Sequence, residues 1–229
     1  MAQVLDRLKK EVSAGITTRY LDSVAEEEVQ RLGAKASFKG YRGFPASICV
    51  SINDEIVHGI PGNRILKDGD VVSLDFGAVI DGFHGDAGVT VAVGEAAPEA
   101  AKLIDTANGA LEAGIKASRG GCRIGDISAV IQDYVEKRGF AVVREYTGHG
   151  IGREMHEDPL VPNFGIRGQG TKLPAGTTIA LEPMVNAGTW RTRLSDDKWT
   201  VKTADGKLSA YAEHTIALTE NGAEILTAL

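Results

Sequence analysis

DVVSLDFGAVIDGFHGDAGVTVAVG, residues 70–94, contains two runs rich in β-branched side chains that meet at Asp81-Gly82. Asp-Gly between two such runs is the strongest short signal for a hairpin, because a two-residue type I′ turn needs a positive φ at both central positions. The stretch therefore predicts a β-hairpin in which Ile80 pairs with Phe83. This hairpin is the element around which the other motifs of the chain are arranged.

The predicted register brings two acidic residues together on one face of the hairpin. Asp75 lies opposite Gly88 and Asp86 lies opposite Gly77, so the aspartates are diagonal neighbours with backbones roughly 7–8 Å apart. We expect the glycines to leave this face open. Two converging carboxylates repel each other unless they are protonated or bridged by cations. The alternative is a solvent-facing strand with two scattered acids, since structural networks also gather carboxylates.

The composition is that of an ordinary soluble globular protein, with 43% hydrophobic and 24% charged residues in a chain of 229. Its 25 basic and 31 acidic residues give a net charge of −6, which argues against nucleic acid as the main ligand. No apolar run is long enough to suggest a membrane segment, and no membrane association is expected. Cys49 and Cys122 have neither metal-site spacing nor a disulfide framework, so a cytoplasmic protein is the simplest inference.

The order of predicted elements suggests a duplicated unit. Helical patterns occupy residues 3–14, 17–32, 98–118 and 126–138, and mainly strands and turns follow. Three residues recur 107 positions later, since Leu66, Gly69 and Asp75 are matched by Leu173, Gly176 and Glu182. A duplication around a pseudo-twofold axis would bring the matched acids to the centre. We therefore expect one domain over residues 1–229, with an internal repeat of roughly 1–97 and 98–229.

Further candidate ligands lie in the second half of the chain. His149 and His156 are seven residues apart in the turn-rich segment YTGHGIGREMHEDP, although a lone histidine is more often structural. Glu182 ends an apolar strand in TIALEPMV, and Glu213 lies in the alternating segment SAYAEHTIAL. Glutamates in apolar strands are costly unless they are paired or bound to metal. These two glutamates are therefore candidate ligands.

Four carboxylates and one imidazole would balance the charge of two divalent cations. The candidate ligands are Asp75, Asp86, His149, Glu182 and Glu213. An oxygen-rich site with one histidine suits manganese, iron, cobalt or zinc. Two metals roughly 3.5–4 Å apart can share a hydroxide and hold it as a nucleophile at neutral pH. The pattern is typical of a hydrolase.

Five motifs occur in order along the chain: NDEIVHGIP, LDFGAVIDGFHGD, GHGIGREMHE, LEPMV and EHTIALTENG. Together they resemble the methionine aminopeptidases of the bacterial type I class, and the resemblance extends from residue 3 to the end of the chain. It implies the α+β pita-bread fold, a pseudo-twofold duplicated αβ unit with a central curved antiparallel sheet. It also implies a dinuclear metallo-aminopeptidase that removes the N-terminal methionine from nascent proteins and peptides when the second residue is small. Members of the family usually have about twenty further residues before the first helix.

The resemblance also implies a role for each candidate metal ligand. Asp75 would bind one metal terminally, whereas Asp86 and Glu213 would bridge both metals. His149 and Glu182 would complete the shell of the other metal. Glu182 would in addition relay a proton from the bridging water, which makes it both a ligand and a catalytic residue.

The remaining histidines receive different roles from the same resemblance. His156 would stabilise the tetrahedral oxyanion and His58 the peptide nitrogen, where such donors matter because charge develops there in the transition state. His84 and His214 match no ligand of the family, and we interpret them as structural. Strand parity places His84 on the same face as Asp86, so only the resemblance excludes it as a ligand.

A methionine pocket is implied for five positions, namely Tyr41, Phe44, Cys49, Met155 and Trp199. Ordinary core packing is the alternative for such aromatic and sulfur-containing side chains. Contacts between sulfur and aromatic rings do suit a thioether substrate. We therefore treat these residues as the candidate substrate pocket.

Two other functions remain as alternatives at this point. An Xaa-Pro aminopeptidase shares the five-ligand pattern, but it normally has a separate N-terminal domain and lacks the HGIP context. A pita-bread protein that binds peptides or RNA without cleaving them would have lost ligands, and this sequence retains all five. The resemblance favours a monomeric enzyme acting on nascent chains, which leaves the ribosome as a candidate partner.

Overall fold

A computed structural model describes residues 1–228. Four α-helices are present, namely α1 Ala2–Glu11, α2 Thr18–Arg31, α3 Pro98–Ala117 and α4 Ile124–Glu136, and a 3₁₀ turn covers Tyr41–Gly43. The strands are β1 Lys35–Ala36, β2 Cys49–Ile52, β3 Glu55–Val57, β4 Val71–Ile80, β5 Phe83–Ala92, β6 Ala141–Val142, β7 Thr147–Gly150, β8 Glu157–Pro162, β9 Thr178–Leu181, β10 Met184–Asn186, β11 Thr192–Leu194, β12 Val201–Thr203, β13 Ser209–Tyr211, β14 Glu213–Thr219 and β15 Gly222–Ile225. None of the helices in this described part of the chain has the length and apolar composition that crossing a membrane requires.

Local signals explain where the helices begin and end. The Thr17 side chain accepts a hydrogen bond from the Tyr20 amide at 3.2 Å, which satisfies one of the unpaired donors at the start of α2. Gly33 follows the end of α2 with φ +74°, a conformation that glycine adopts without strain. Pro98 begins α3, where its missing amide proton costs no hydrogen bond. The four predicted helices are confirmed, although α1 ends at Glu11, earlier than predicted.

The hairpin formed by β4 and β5 has the predicted register. Ile80 pairs with Phe83 across the turn. Asp81 and Gly82 have φ values of 52° and 77°, as a type I′ turn requires. The turn residues alone thus fix which residues face each other along the full length of both strands.

The hairpin lies within a nine-stranded curved sheet in the order β1-β4-β5-β14-β9-β7-β8, with β2 paired to β4 and β15 paired to β14. The pairs along this order are antiparallel. Two smaller three-stranded sheets, β13-β10-β6 and β11-β12-β3, accompany it. The structure therefore confirms the predicted α+β class with a curved antiparallel sheet.

Each pair of helices packs on its own part of the core. In one cluster, Leu8 of α1 and Leu21 of α2 pack with Leu74 and Phe76 of β4. In the other, α3 and α4 pack with β9 and β14 through a cluster that includes Leu103, Ile131, Leu181 and Ile216. Leu181 of β9 and Ile216 of β14 belong to the second cluster, whereas Ala87 of β5 belongs to the first. Core packing therefore anchors the strands that carry or adjoin the acidic residues.

Candidate active site

Neighbouring strands of the central sheet bring the predicted metal ligands together. Asp75 lies on β4 and faces Gly88 of β5, and Gly88 also pairs with Glu213 at the start of β14. Asp86 lies on β5, two residues before Gly88. His149 on β7 pairs with Ala180 of β9. Glu182 follows the last residue of β9, so all five side chains lie in one region of the sheet, and all five line one cleft.

The distances within this cluster suit a metal centre. Each of Asp86, His149 and Glu213 offers a ligand atom, and these atoms lie within 4.8 Å of one another. The Nε2 atom of His149 is 3.6 Å from Oε1 of Glu182. Within residues 1–228, Oδ1 of Asp75 is buried and has no hydrogen-bond partner. A buried carboxylate oxygen without a donor is costly, and a cation would satisfy it.

The electrostatics of the cluster also favour cations. Burial raises the pKa of Asp75 to about 7. Burial, together with the charges of neighbouring carboxylates, raises the pKa of Asp86, Glu182 and Glu213 well above the usual range. Asp75, Asp86 and Glu213 are buried and Glu182 is partly buried. Clustered acids that resist ionisation are stabilised either by protons or by bound cations. The residues present therefore fit divalent metal ions.

His149 is oriented as a metal-binding histidine. Its Nδ1 atom lies 2.8 Å from the backbone oxygen of Gly150, and a hydrogen bond donated there leaves Nε2 as the ligand atom. Histidine ligands commonly donate their second ring N–H to a backbone carbonyl, which fixes the tautomer. Burial lowers the pKa of His149 and so favours the neutral imidazole that a metal requires.

His156 lies beside the cluster and is held by Tyr41. The Nδ1 atom of His156 is 2.9 Å from the Tyr41 hydroxyl, and the two rings stack with centroids 5.3 Å apart. The ring centroids of His156 and His149 are 4.2 Å apart. Burial is the main reason why the pKa of His156 is lowered to about 4. His156 is therefore a neutral side chain at pH 7 that neighbours a candidate ligand.

His58 also lines this cleft. Its ring makes edge contacts with Tyr146 and Trp199, at centroid distances of 6.1 and 6.5 Å. Its φ of 60° is unusual for a residue other than glycine. Burial lowers its pKa to about 4. Strained conformations of this kind persist only where the surroundings fix them, and they are frequent at active sites.

The five predicted pocket residues form a single apolar cluster. Phe44, Cys49 and Met155 are buried, and Tyr41 and Trp199 pack against them. The rings of Phe44 and Trp199 meet edge to face with centroids 5.1 Å apart. All five also line the cleft that contains the candidate ligands. The structure thus brings the seven predicted substrate-binding side chains and the metal ligands into one cavity.

Four lining residues were not predicted from the sequence, namely Phe38, Arg42, Val57 and Tyr211. The expectation that glycines leave the acidic face open is also wrong. A Cβ atom at Gly77 would lie 2.8 Å from the Phe38 ring, and one at Gly88 would overlap the ring of Tyr211. The glycines make room for aromatic rings that come from distant segments. Only the lack of a side chain at Gly77 and Gly88 could have indicated close packing there.

The two histidines that were interpreted as structural lie outside this lining. The Nδ1 atom of His84 is 2.8 Å from Oγ of Ser37, and Nδ1 of His214 is 2.8 Å from Oγ1 of Thr227. Each hydrogen bond links two segments that are distant in sequence. A structural role for both residues stays a prediction that these contacts support.

Comparisons with known proteins agree with this geometry. The model of metallopeptidase family M24 matches residues 1–220. The methionine aminopeptidase of Clostridium perfringens is 53% identical over 227 residues, which cover 99% of this chain and 91% of that protein. The crystal structure of methionine aminopeptidase from Thermotoga maritima matches with a TM-score of 0.98 and 46% identity, covering 100% of this chain and 92% of that chain.

The crystal structure of X-Pro aminopeptidase from Thermotoga maritima shows a more distant similarity. Its TM-score is 0.77 at 23% identity, and the match covers 99% of this chain but 57% of that chain. This similarity concerns the fold alone. The expected pita-bread fold is confirmed by the two structural matches together. The chain belongs to metallopeptidase family M24.

Proposed function

We propose that this chain removes the N-terminal methionine from peptides and proteins whose second residue is small. One observation carries the proposal: four clustered acids and His149 share a cleft with a compact apolar pocket. The relatives named methionine aminopeptidase at up to 53% identity support the same conclusion. An Xaa-Pro aminopeptidase and a non-catalytic binding protein are not favoured, because the close matches belong to neither class.

We assign the cluster to two divalent cations. Asp75 would hold one of them, Asp86 and Glu213 would be shared between both, and His149 with Glu182 would hold the other. The proximity of the ligand atoms of Asp86, His149 and Glu213 supports this assignment. When bound, the cations supply positive charge that polarises the substrate carbonyl and lowers the pKa of water. Manganese, iron, cobalt and zinc all suit such a ligand set.

The chain's own side chains then move and place protons. Glu182 accepts the proton of the attacking water and passes it to the nitrogen that leaves when the peptide bond breaks. In the tautomer that accepts a hydrogen bond at Nδ1 from the Tyr41 hydroxyl, 2.9 Å away, His156 carries its ring proton on Nε2. His156 can then donate a hydrogen bond to the developing oxyanion. His58, which lines the same cleft, contacts the peptide nitrogen.

The apolar cluster selects the first side chain of the substrate. Phe44, Cys49, Met155 and Trp199 surround a space with aromatic and sulfur surfaces, and Tyr41 packs at its edge. Such surfaces suit an unbranched, polarizable thioether. A β-branched side chain is stiff near the backbone and should fit poorly. The pocket therefore favours methionine over valine or isoleucine.

The proposed activity also suggests an oligomeric state, a cellular location and partners for this chain. We propose a monomeric cytoplasmic enzyme that acts on nascent chains, with the ribosome as a candidate partner and no nucleic acid or membrane as its main ligand. The net charge of −6 supports the exclusion of nucleic acid as the main ligand. The domain organisation, one catalytic domain over residues 1–229 with a repeat of roughly 1–97 and 98–229, is part of this proposal.

A peptide panel tests the proposed substrate choice. Initial rates should be high for peptides that begin Met-Ala, Met-Gly or Met-Ser, and low for those that begin Met-Lys or Met-Phe. Norleucine should be accepted at a reduced rate, because apolar pockets discriminate by only roughly 1–3 kcal/mol per methylene. Acetylated Met-Ala and X-Pro peptides serve as controls that should remain intact. Equal rates on Leu-Ala and Met-Ala, or cleavage of the acetylated peptide, would refute a methionine pocket.

A further inference from the structure

Tyr211 is a buried polar side chain of the cleft for which neither the sequence nor the proposed mechanism has a role. It ends β13, two residues before Glu213, and only 2% of its surface is exposed. Its phenol hydroxyl donates a hydrogen bond to Oε2 of Glu213. Its ring lies against Gly88, the residue that faces both Asp75 and Glu213. Tyr211 thus contacts a proposed bridging ligand directly.

Tyr211 pairs with Met184 of β10, and a side chain binds both its backbone amide and its carbonyl. Its amide donates to Oγ1 of Thr90 at 2.9 Å, and its carbonyl accepts from the same hydroxyl at 2.6 Å. The Thr90 hydroxyl also lies 2.7 Å from Oγ of Ser73. These contacts attach Tyr211 to β5 and β4, the two strands that hold Asp86 and Asp75. The phenol is therefore positioned relative to the hairpin that carries Asp75 and Asp86.

The space for the ring is provided by the lack of a side chain at Gly88. A Cβ atom at this position would overlap the ring of Tyr211. Met184, Val57 and Val201 pack with Tyr211 in a buried cluster on its other side. The ring is thus confined between a strand and a hydrophobic cluster. Within these contacts its hydroxyl reaches Glu213.

We propose that Tyr211 is a positioning residue of the metal centre, holding the Glu213 carboxylate in the orientation in which it binds cations. An ionised carboxylate has about four acceptor sites, so one hydrogen bond from Tyr211 leaves both oxygens able to bind metal. Partners that hold a metal ligand typically change metal affinity by roughly 10–100-fold when they are removed. The inference rests on the proposed function, because it assumes that Glu213 is a ligand.

The test is to remove the phenol oxygen and measure metal binding. Tyr211→Phe keeps the ring and its packing, and it should weaken Mn²⁺ binding about 10–100-fold in calorimetric titration of the metal-stripped protein. The absorption spectrum of the Co²⁺-loaded protein should change as well, because it reports the ligand geometry. At saturating Mn²⁺ we expect kcat for a Met-Ala peptide to fall while KM changes little.

The matched control is Tyr20→Phe. Tyr20 donates to Oε2 of Glu11 at 2.8 Å on the surface, so this variant removes the same kind of hydrogen bond away from the cleft. It should leave Mn²⁺ affinity, the Co²⁺ spectrum and peptidase activity unchanged.

Three outcomes would overturn the inference. Wild-type Mn²⁺ affinity and an unchanged Co²⁺ spectrum in Tyr211→Phe would show that the phenol positions nothing. A lower unfolding temperature with unchanged metal affinity would show that Tyr211 is only structural. Absence of metal binding and of peptidase activity in the wild-type protein would refute the proposed function, and the inference with it. The first two outcomes leave the proposed function intact.

Discussion

Individual histidines in the cleft differ in what their surroundings allow them to do. His149 has its Nδ1 atom engaged by a backbone oxygen, whereas His156 has its Nδ1 atom engaged by a phenol. A backbone carbonyl can only accept a hydrogen bond, so it fixes Nε2 of His149 as an acceptor or ligand atom. A phenol can donate, so it permits Nε2 of His156 to be a donor. The partner of Nδ1 thus decides what Nε2 can do in each ring. In His149 it can accept a hydrogen bond or bind a metal, and in His156 it can donate a hydrogen bond.

This difference gives a direct prediction for His156→Ala. The variant should keep its metals, because His156 is not among the ligands, but its kcat should fall by about 10²–10³, the usual cost of removing an oxyanion donor. Metal content and steady-state rates on a Met-Ala peptide measure the two effects. His84→Ala is the control and should retain activity, since His84 lies on β5 with its Nδ1 atom 2.8 Å from Oγ of Ser37. Loss of metal from a folded His156→Ala would mean that His156 is a ligand.

A second prediction concerns the stability conferred by a neutral His58. Burial lowers its pKa from 6.5 to about 4 in the folded protein. Between these pH values the unfolded state binds more protons, so the free energy of unfolding must decrease as the pH falls. One pKa unit corresponds to about 1.36 kcal/mol, and the His58 contribution between pH 7 and pH 5 is therefore about 2 kcal/mol.

Urea unfolding of wild-type protein and His58→Gln at pH 7, 6 and 5 measures this contribution. Glutamine does not titrate, so the difference in unfolding free energy between the two proteins should shrink as the pH falls. Differences that stay constant over this range would show that His58 has an ordinary pKa.

At the scale of elements, the hairpin shows what local sequence can determine. The Asp81-Gly82 turn set the register of all ten residue pairs of β4 and β5, because turn geometry fixes pairing without help from distant residues. The occupants of the space beside Gly77 and Gly88 could not be predicted in this way. Phe38 and Tyr211 reach these glycines from segments far away in the chain, and no local pattern specifies such contacts.

The same distinction between local sequence and distant contacts applies to the residues of the candidate site. Its ligands could be named because glutamates in apolar strands are costly and because the five motifs resemble a known family. Tyr211 gave no such signal, since a tyrosine in an alternating strand is ordinary. Its hydrogen bond to Glu213 depends on the route of β13 and on Thr90, which only the folded chain shows.

The loop after β3 provides a prediction at this scale. A Cβ atom at Gly59 would overlap the backbone carbonyl oxygen of Val50, and this strand backbone cannot move away as a flexible side chain could. Gly59→Ala should therefore destabilise the protein by about 1–3 kcal/mol, the usual cost of overpacking. It should also lower kcat/KM, because it displaces the adjacent His58.

Gly62→Ala is the matched control for this experiment. No atom lies within 4 Å of a Cβ built at Gly62, so its substitution should leave thermal unfolding and activity close to wild type. Equal unfolding temperatures for the Gly59 and Gly62 variants would show that the close approach of Gly59 to Val50 is unimportant.

At the scale of the whole molecule, the proposed metal ligands connect two parts of the chain. Asp75 and Asp86 lie on the hairpin, whose β4 strand packs with α1 and α2, whereas Glu182 and Glu213 belong to the part covered by α3 and α4. Without cations, the four acids at the junction of these parts must either bind protons or repel one another. With cations, the same acids join the two parts. Metal binding should therefore contribute to the stability of the fold as well as to catalysis.

The last prediction follows from this arrangement. At 100 times its dissociation constant, one Mn²⁺ that binds only the folded state adds about 2.7 kcal/mol to the free energy of unfolding. Thermal unfolding in excess Mn²⁺ should therefore occur at a clearly higher temperature than in excess chelator, and peptidase activity should disappear on chelation and return with Mn²⁺ or Co²⁺.

Asp86→Asn separates the two roles of the acidic cluster. It removes one of the four clustered acids, whose surroundings oppose ionisation, so the metal-free variant should unfold at or above the temperature of the metal-free wild type. It also removes a bridging ligand, so Mn²⁺ should neither raise that temperature nor restore activity. Full activity in exhaustively chelated wild-type protein would contradict the metal-dependent mechanism. A wild-type response of Asp86→Asn to Mn²⁺ would instead exclude Asp86 as a ligand that joins the two parts of the sheet.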